Sequence, residues 1–477
     1  MSCTTIIIGK KASYDGSTII ARNEDSCAGC FDPKKMVLVK PEDQPVHYQS
    51  VISKEKIELP TDPMAYSSVP EAVDWHGIWA ASGINEANVA MTATETITGN
   101  ERFLAVDPLT EEKVGGFGEE DLVTIVLPYI KSARDGVKRL GAILEKHGTY
   151  EQNGIAFADG DEVWYLETIG GHNWMARRLA DDSYAVLANQ LSIDSLNFDD
   201  CYGKQEEFMC SSQLKALVEE NRLDLSLDGK FNPRQAFGSI TDTDTVYNTP
   251  RVWSVQKKLN PHSKLWDDPA IDNPRSFNLA WSMVPERKLT IEDVKRALSD
   301  HYQGSPYDPY TNNKTPFRPI GVNRTNHIAV LQIRPYLPEE YRSIHWISFG
   351  CNIYNALLPM YPLVDSFPAY LECTGSEPST ESFYWTNRLI SALADPVYYK
   401  SLSAVENYRE SVTSQALGLI LSCDKAAKSY KGNIKELLGE TNEKIAAMAK
   451  TETSTLLKKV LDLASNSMKS AFYLSDN

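Results

Sequence analysis

The order of strand-like and helical segments is the feature that most constrains the fold. Short β-rich hairpins come first, a helical stretch follows over 119–147, strand patterns return over 154–188, and the last hundred residues are mainly helical. Strands that follow one another directly are typical of antiparallel sheets, whereas parallel sheets need strands alternating with helices. The sequence therefore predicts an α+β protein in which helices cover antiparallel sheets.

The first hairpin is the clearest local pattern. Residues 4–8 (TTIII) are strand-like, and residues 16–23 (GSTIIARN) are predicted to pair with them after a turn that contains Asp15-Gly16. In a hairpin that closes there, Arg22 or Asp25 returns to the neighbourhood of residue 3.

The other elements follow from hydrophobic periodicity. Further strands are predicted at 77–83, 89–95, 154–158, 162–168, 174–178, 184–188, 327–334 and 344–350. Helices are predicted over 119–131, 133–147 and 205–220, and from 380 onward, whereas 224–275 is predicted as long ordered loops with short helices.

Composition excludes several classes of function. The 477 residues carry a net charge of −16, which argues against nucleic acid and anionic membranes as partners. No stretch approaches the roughly 20 apolar residues of a membrane span, and no secretory signal is recognised at the start. The eight cysteines are scattered, so we expect mostly reduced thiols in a cytoplasmic protein.

The familiar cofactor motifs are missing. The sequence has no HExxH, only one Cys-x-x-Cys (Cys27 to Cys30), and histidines without ligand spacing, so a zinc enzyme is disfavoured. It also lacks a Walker loop, a GxGxxG after a strand and a GxSxG elbow. We therefore predict neither a metal nor a cofactor, and we read the single Cys-x-x-Cys as a coincidence or a loop near the site.

Cys3 is the candidate nucleophile. If the residues before it are removed, its own α-amino group lies beside the thiol and can act as a built-in base, because such an amine titrates near neutral pH. Arg22 and Asp25 supply a cation that could favour the thiolate and a carboxylate that could hold the ammonium. From spacing alone, a buried small cysteine and an ordinary ion pair at a strand end remain open alternatives.

Several blocks of the sequence resemble the dipeptidase A family of lactic acid bacteria. That family is related to the secernins and, more distantly, to penicillin V acylase and conjugated bile acid hydrolase. The resemblance covers most of residues 3–360. It is carried by Cys3-Thr4-Thr5, Asp15-Gly16-Ser17-Thr18, Arg22-Asn23-Glu24-Asp25 and the blocks 153–159, 162–168, 170–174, 307–310 and 318–325.

The resemblance implies the four-layered αββα sandwich of N-terminal-nucleophile hydrolases. A catalytic domain over 3–375 and a helical extension over 376–477 packed on it are expected. The implied reaction is hydrolysis of small dipeptides, with broad side-chain tolerance, through an acyl-enzyme on Cys3; a homo-oligomer is compatible with this reading.

The resemblance also assigns the site. Cys3 takes the nucleophile position, Arg22 and Asp25 flank it, and Asn189 matches an oxyanion-hole asparagine of the acylase relatives. Arg251 is similar to a late arginine of those relatives, which could order the pocket or the Asp25 carboxylate. A turn residue and a packing arginine are the plain alternatives for the last two.

Two departures from the distant relatives are notable. Where the bile acid hydrolases have an asparagine, our alignment places Glu95, so Glu95 and Thr94 become substrate-binding candidates. A backbone N–H near Thr94 or Glu95 could serve the oxyanion, or the Glu95 carboxylate could bind the amino group of a dipeptide. Met1 and Ser2 also precede the nucleophile and must be removed. An amidase acting on non-peptide acyl amides and a non-catalytic, secernin-like regulatory protein remain alternative functions.

Overall fold

The structure is a computed structural model. It describes residues 3–27, 30–73, 77–111, 114–266, 268, 272–311 and 314–470, and of residues 93–95 it describes the backbone alone. Met1 and Ser2 and the side chains of Thr94 and Glu95 lie outside this description, so the predictions made for them stay predictions.

Strands and helices segregate along the chain as the periodicity predicts. In chain order, the strands of the described residues are β1 (Thr4–Ile8), β2 (Thr18–Asp25), β3 (Val37–Val39), β4 (His47–Gln49), β5 (Lys56–Glu58), β6 (Tyr66–Ser68), β7 (Ser82–Ile84), β8 (Ala90–Thr96), β9 (Asn153–Ala158), β10 (Val163–Thr168), β11 (Trp174–Arg178), β12 (Tyr184–Leu187), β13 (Phe208–Cys210), β14 (Thr325–Ile333), β15 (Ser343–Phe349) and β16 (Leu358–Met360). The α-helices of the same residues are α1 (Glu101–Leu104), α2 (Glu119–Val126), α3 (Ala133–His147), α4 (Phe198–Cys201), α5 (Leu214–Glu220), α6 (Pro233–Phe237), α7 (Asp244–Tyr247), α8 (Thr249–Leu259), α9 (Ile291–Leu298), α10 (Ala369–Glu372), α11 (Phe383–Ala394), α12 (Tyr398–Ala427) and α13 (Ile434–Ser465).

Two antiparallel sheets organise these elements. Within the described residues, the first sheet has the strand order β12-β1-β2-β14-β15-β16 and the second has the order β13-β11-β10-β9-β8-β7. Every pairing in both sheets is antiparallel, which confirms the predicted α+β class.

Three apolar cores hold the sheets and helices together. One lies between the sheets and contains Ile7 and Ile20 of the first sheet and Tyr165 of the second. A second core joins the other face of the first sheet to α8, α9, α11, α12 and α13, and a third joins the outer face of the second sheet to α2 and α3. The C-terminal helices therefore share a core with the first sheet; a domain boundary at 375/376 stays a prediction.

The register of the first hairpin brings the predicted residues together. Thr4 pairs with Asn23 and Thr5 with Arg22, and the turn contains Gly16 at φ +85°. Since side chains alternate along a strand, Cys3 and Arg22 share the face of Ile7 and Ile20, which is the face toward the second sheet. The predicted hairpin is thus confirmed, and it places both residues between the sheets.

Three sequence predictions need correction. The strand predicted over 77–83 is limited to Ser82–Ile84, because only these residues pair with β8. The helix predicted over 205–220 covers only Leu214–Glu220, because Phe208–Cys210 pairs as an edge strand with β11. Cys27 and Cys30 form a disulfide, so the expectation of reduced thiols is wrong for this pair. No helix among the described residues is long and apolar enough to span a membrane.

Candidate active site

Cys3 lies just before β1, at the edge of the core between the sheets, and is fully buried. The guanidinium of Arg22 donates a hydrogen bond from Nη2 to the sulfur over 2.9 Å. Arg22 is itself fully buried, so little water screens its charge from the sulfur. The predicted contact between the cation and the thiol is therefore present in the structure.

Arg22 also contacts Glu119 of α2 and the main chain just before β7. Its Nη2 lies 3.1 Å from Oε1 of Glu119, the first residue of α2, and Nη1 donates to the carbonyl of Ala81 over 3.5 Å. Glu119 is 3% exposed, so this is a buried ion pair. A buried guanidinium needs such a partner, because leaving either charge unpaired would be strongly destabilising.

Arg251 connects the main chain of Cys3 to Asn189, the predicted oxyanion residue. Nη1 of Arg251 donates to the carbonyl oxygen of Cys3 and, over 2.7 Å, to Oγ1 of Thr4. Nη2 donates to Oδ1 of Asn189 over 2.6 Å and to Oδ1 of Asn248 over 2.9 Å. This one side chain, on α8, therefore joins two separate segments, Cys3-Thr4 and Asn189, to the N-cap of its own helix.

The contact with Arg251 orients the Asn189 amide. A guanidinium only donates, so Oδ1 must face it and Nδ2 must point away. Nδ2 donates to the carbonyl of Thr96 at the end of β8, over 2.8 Å. Asn189 follows β12, whose register with β1 would reach Cys3 two residues beyond the last pair, Thr5 with Leu187. The structure thus brings Asn189 and Cys3 to the same end of the first sheet.

Asp25 lies on the opposite face of β2 from Arg22 and is fully buried. Its carboxylate accepts hydrogen bonds from Nη2 of Arg318, from Oγ1 of Thr325 over 2.6 Å and from Nδ2 of Asn23 over 3.2 Å. Oδ1 of Asn23 in turn accepts the N–H of Thr4 over 2.7 Å. Asp25 is therefore linked to the chain beside Cys3 through Asn23.

Four residues of this arrangement were not assigned a role from the sequence. Arg318 and Thr325 lie in one of the blocks that carry the resemblance, and Asn23 lies between two predicted site residues, so each carried a signal. Glu119 carried none beyond its position at the start of a predicted helix. Only the folded structure, in which the first turn of α2 reaches the Arg22 side chain, reveals this contact.

Acidic groups near Arg22 have strongly perturbed protonation. Burial, followed by the charge of Glu119, raises the pKa of Glu151 to about 7. Burial and the adjacent Asp121 raise the pKa of Glu120 to about 8. Such clusters are typical of functional sites as well as of structural networks. Among the described residues, no group of three or more His, Cys, Asp or Glu side chains could hold a metal ion.

Comparison with known proteins identifies the class and then the family. The model of Peptidase family C69 matches residues 2–411. The chain is thus a peptidase, as predicted, and it belongs to peptidase family C69.

Relatives match over the full length. The chain is 51% identical to a probable dipeptidase A of Streptococcus pyogenes serotype M3 and 46% identical to a dipeptidase of Bifidobacterium longum, with all of each chain covered. It is 42% identical to dipeptidase A of Lactobacillus helveticus, with 96% of each chain covered. The resemblance stated from the sequence is confirmed.

Proposed function

We propose that the protein is a cysteine dipeptidase with Cys3 as its nucleophile. The observation that carries the proposal is the 2.9 Å contact between the Cys3 sulfur and the buried Arg22 guanidinium. A cation at this distance favours the thiolate, which is the nucleophilic form of cysteine. The names of the relatives, all dipeptidases, support dipeptides as substrates.

The proposed fold is the αββα sandwich of N-terminal-nucleophile hydrolases. Its support is the sequence of layers in which α2 and α3 cover one sheet, the two sheets share a core, and the later helices cover the other sheet. In this fold the nucleophile is the first residue of the mature chain, so we propose that Met1 and Ser2 are removed.

The first half of the reaction forms a thioester. The α-amine of Cys3 takes the thiol proton, and the sulfur attacks the carbonyl carbon of the peptide bond. The oxyanion that forms is stabilised by the Asn189 amide together with a backbone N–H. The α-ammonium then protonates the leaving nitrogen, the carbon–nitrogen bond breaks, and the second amino acid departs.

The second half releases the first amino acid. Water attacks the thioester carbonyl while the α-amine accepts a proton from it, and the carbon–sulfur bond breaks. Arg251 holds the Cys3 carbonyl and Asn189 in place through both steps. Asp25, anchored by Arg318 and Asn23, is proposed to orient the segment that carries the amine.

Activity and mass measurements test the proposal. Intact mass should show a mature chain beginning at Cys3, and the purified enzyme should hydrolyse unblocked dipeptides. Cys3→Ala should abolish turnover, whereas Cys373→Ala, which removes an exposed cysteine, should leave it unchanged. Full dipeptide hydrolysis by Cys3→Ala would overturn the proposal, and turnover of penicillin V or glycine-conjugated bile acids in place of dipeptides would favour an amidase. A panel of dipeptides tests the proposed broad side-chain tolerance.

A further inference from the structure

Glu119 and Glu151 form an acidic cluster beside the candidate site that the mechanism above does not use. One carboxylate oxygen of Glu119, Oε1, accepts a hydrogen bond from Arg22, and the backbone N–H of Glu119 donates to Oε1 of Glu151 over 2.7 Å. The other oxygen, Oε2, is buried and receives no hydrogen bond from the described residues. A buried carboxylate oxygen without a donor is costly, so a missing partner must be a donor, and a cation is the best one.

The local charge points the same way. Glu119 pairs with the guanidinium of Arg22, which also contacts the Cys3 sulfur, whereas Glu151 accepts the backbone N–H of Glu119 and forms no ion pair with the described residues. The raised pKa of Glu151 reflects its burial first and then this surplus of negative charge. In the proposed mechanism the thiol proton passes to the α-amine of Cys3, so thiolate formation leaves the net charge of the site unchanged. A positively charged group that enters with the substrate would balance the second carboxylate.

Distances match the ammonium of a dipeptide. Oε1 of Glu119 lies within about 6 Å of the Cys3 sulfur, because each is in direct contact with Nη2 of Arg22, at 3.1 and 2.9 Å. In a dipeptide the amino nitrogen is two bonds from the carbonyl carbon that sulfur attacks, so during attack it lies within roughly 5 Å of the sulfur. A hydrogen bond of ordinary length can therefore join the substrate's amino nitrogen to the Glu119 carboxylate.

We propose that Glu119, supported by Glu151, binds the α-ammonium of the substrate's first residue. The proposal rests on the proposed dipeptidase function and narrows its substrate class to peptides with an unblocked amino terminus. Peptides whose amino group is acylated or absent would leave the second carboxylate without a balancing charge and would be poor substrates. The preference for peptides with a free amino group would thus come from buried charge.

Glu119 could instead serve only to hold Arg22, and a substrate lacking the amine separates the two roles. We suggest measuring kcat/KM for leucyl-alanine and for 4-methylpentanoyl-alanine, which differs only by loss of the α-amino group. Wild-type enzyme should strongly prefer leucyl-alanine. Glu119→Gln should lower kcat/KM for leucyl-alanine about 10- to 100-fold more than for the analogue, since a hydrogen bond to a charged group is lost only with the former.

Two further variants complete the design. Glu120→Gln is the matched control: Glu120 is buried in the same helix turn but accepts from the hydroxyls of Ser50 and Tyr150, so its discrimination between the two substrates should equal that of wild type. Glu151 makes no hydrogen bond to Arg22 among those of the described residues, so Glu151→Gln should leave the Arg22 contacts in place. This variant should selectively reduce turnover of leucyl-alanine, and it tests the inference even if Glu119→Gln does not fold.

The outcomes are distinguishable. Equal losses on both substrates in Glu119→Gln and Glu151→Gln would overturn the inference and leave the carboxylates a purely positioning role. Equal turnover of the two substrates by wild type would also overturn it. If wild type hydrolyses no dipeptide at all, the proposed function fails first.

Discussion

Glu167 provides a measurable pH dependence of stability. It lies in β10, is fully buried, and accepts the N–H of Ser192 over 2.6 Å and that of Ile193 over 3.4 Å. Burial raises its pKa from the ordinary 4.5 to about 8, although both N–H donors oppose the shift. Its two partners follow Asn189 closely in the chain, so Glu167 fixes the loop that leaves the candidate site.

The direction and size of the effect follow from linkage. In the unfolded chain Glu167 loses its proton above about pH 4.5, whereas in the folded protein it keeps the proton until about pH 8. Unfolding therefore releases a proton between these values, and stability falls as pH rises, by up to about 1.36 kcal/mol per pH unit. Between pH 5 and pH 8 this one group should cost the folded state about 3 kcal/mol.

Glu167→Gln removes this dependence, because glutamine stays neutral at every pH while it keeps an acceptor oxygen for the loop. We suggest urea unfolding of both proteins at pH 5, 6, 7 and 8. The free energy of unfolding of the variant, relative to wild type, should rise by about 3 kcal/mol across this range. Exposed Glu220→Gln serves as the control and should run parallel to wild type. If Glu167→Gln also runs parallel, burial does not hold this carboxyl in its protonated form.

Two other substitutions test the contacts around the site and the C-terminal helices. Arg251→Lys should reduce kcat/KM about 100-fold, because a single ammonium cannot replace the forked guanidinium that holds both Asn189 and the Cys3 carbonyl. Steady-state kinetics measures the effect, and a kcat/KM close to that of wild type would contradict this role. Asp424→Asn should lower the free energy of unfolding by about 3 kcal/mol, because the buried guanidinium of Arg334, 2.6 Å from Asp424, loses its carboxylate partner. Urea unfolding at pH 7 measures the loss, and an unchanged unfolding midpoint would refute the prediction.

The predictable part of the fold is the part encoded by neighbouring residues. The Asp15-Gly16 turn and the apolar runs on either side are local signals, and they placed Arg22 near Cys3 before any tertiary information was used. The short strand Phe208–Cys210 was missed because three residues carry no period of their own. Its partner, β11, lies about 30 residues earlier, and only pairing with β11 in the folded sheet makes this segment a strand.

The same distinction holds for the candidate site. Arg22 and Asp25 follow from the hairpin, and Asn189 and Arg251 from the resemblance, since nothing local marks them as more than a turn residue and a helical arginine. Arg318 contacts Asp25 across almost 300 positions of sequence. Such a pair depends on how β2 and β14 associate, which periodicity cannot specify.

The three acids that open α2 illustrate why a local pattern understates function. Acidic residues in the first turn of a helix are favoured by the helix dipole, so Glu119, Glu120 and Asp121 look like ordinary start signals. Helical geometry directs successive side chains about 100° apart, so each acid meets a different environment. Asp121 accepts from the hydroxyl of Tyr48, whereas Glu119 accepts from Arg22, whose guanidinium also contacts the Cys3 sulfur. One turn of helix thereby supplies both a structural anchor, Asp121, and the carboxylate that is proposed to bind the substrate's ammonium, Glu119.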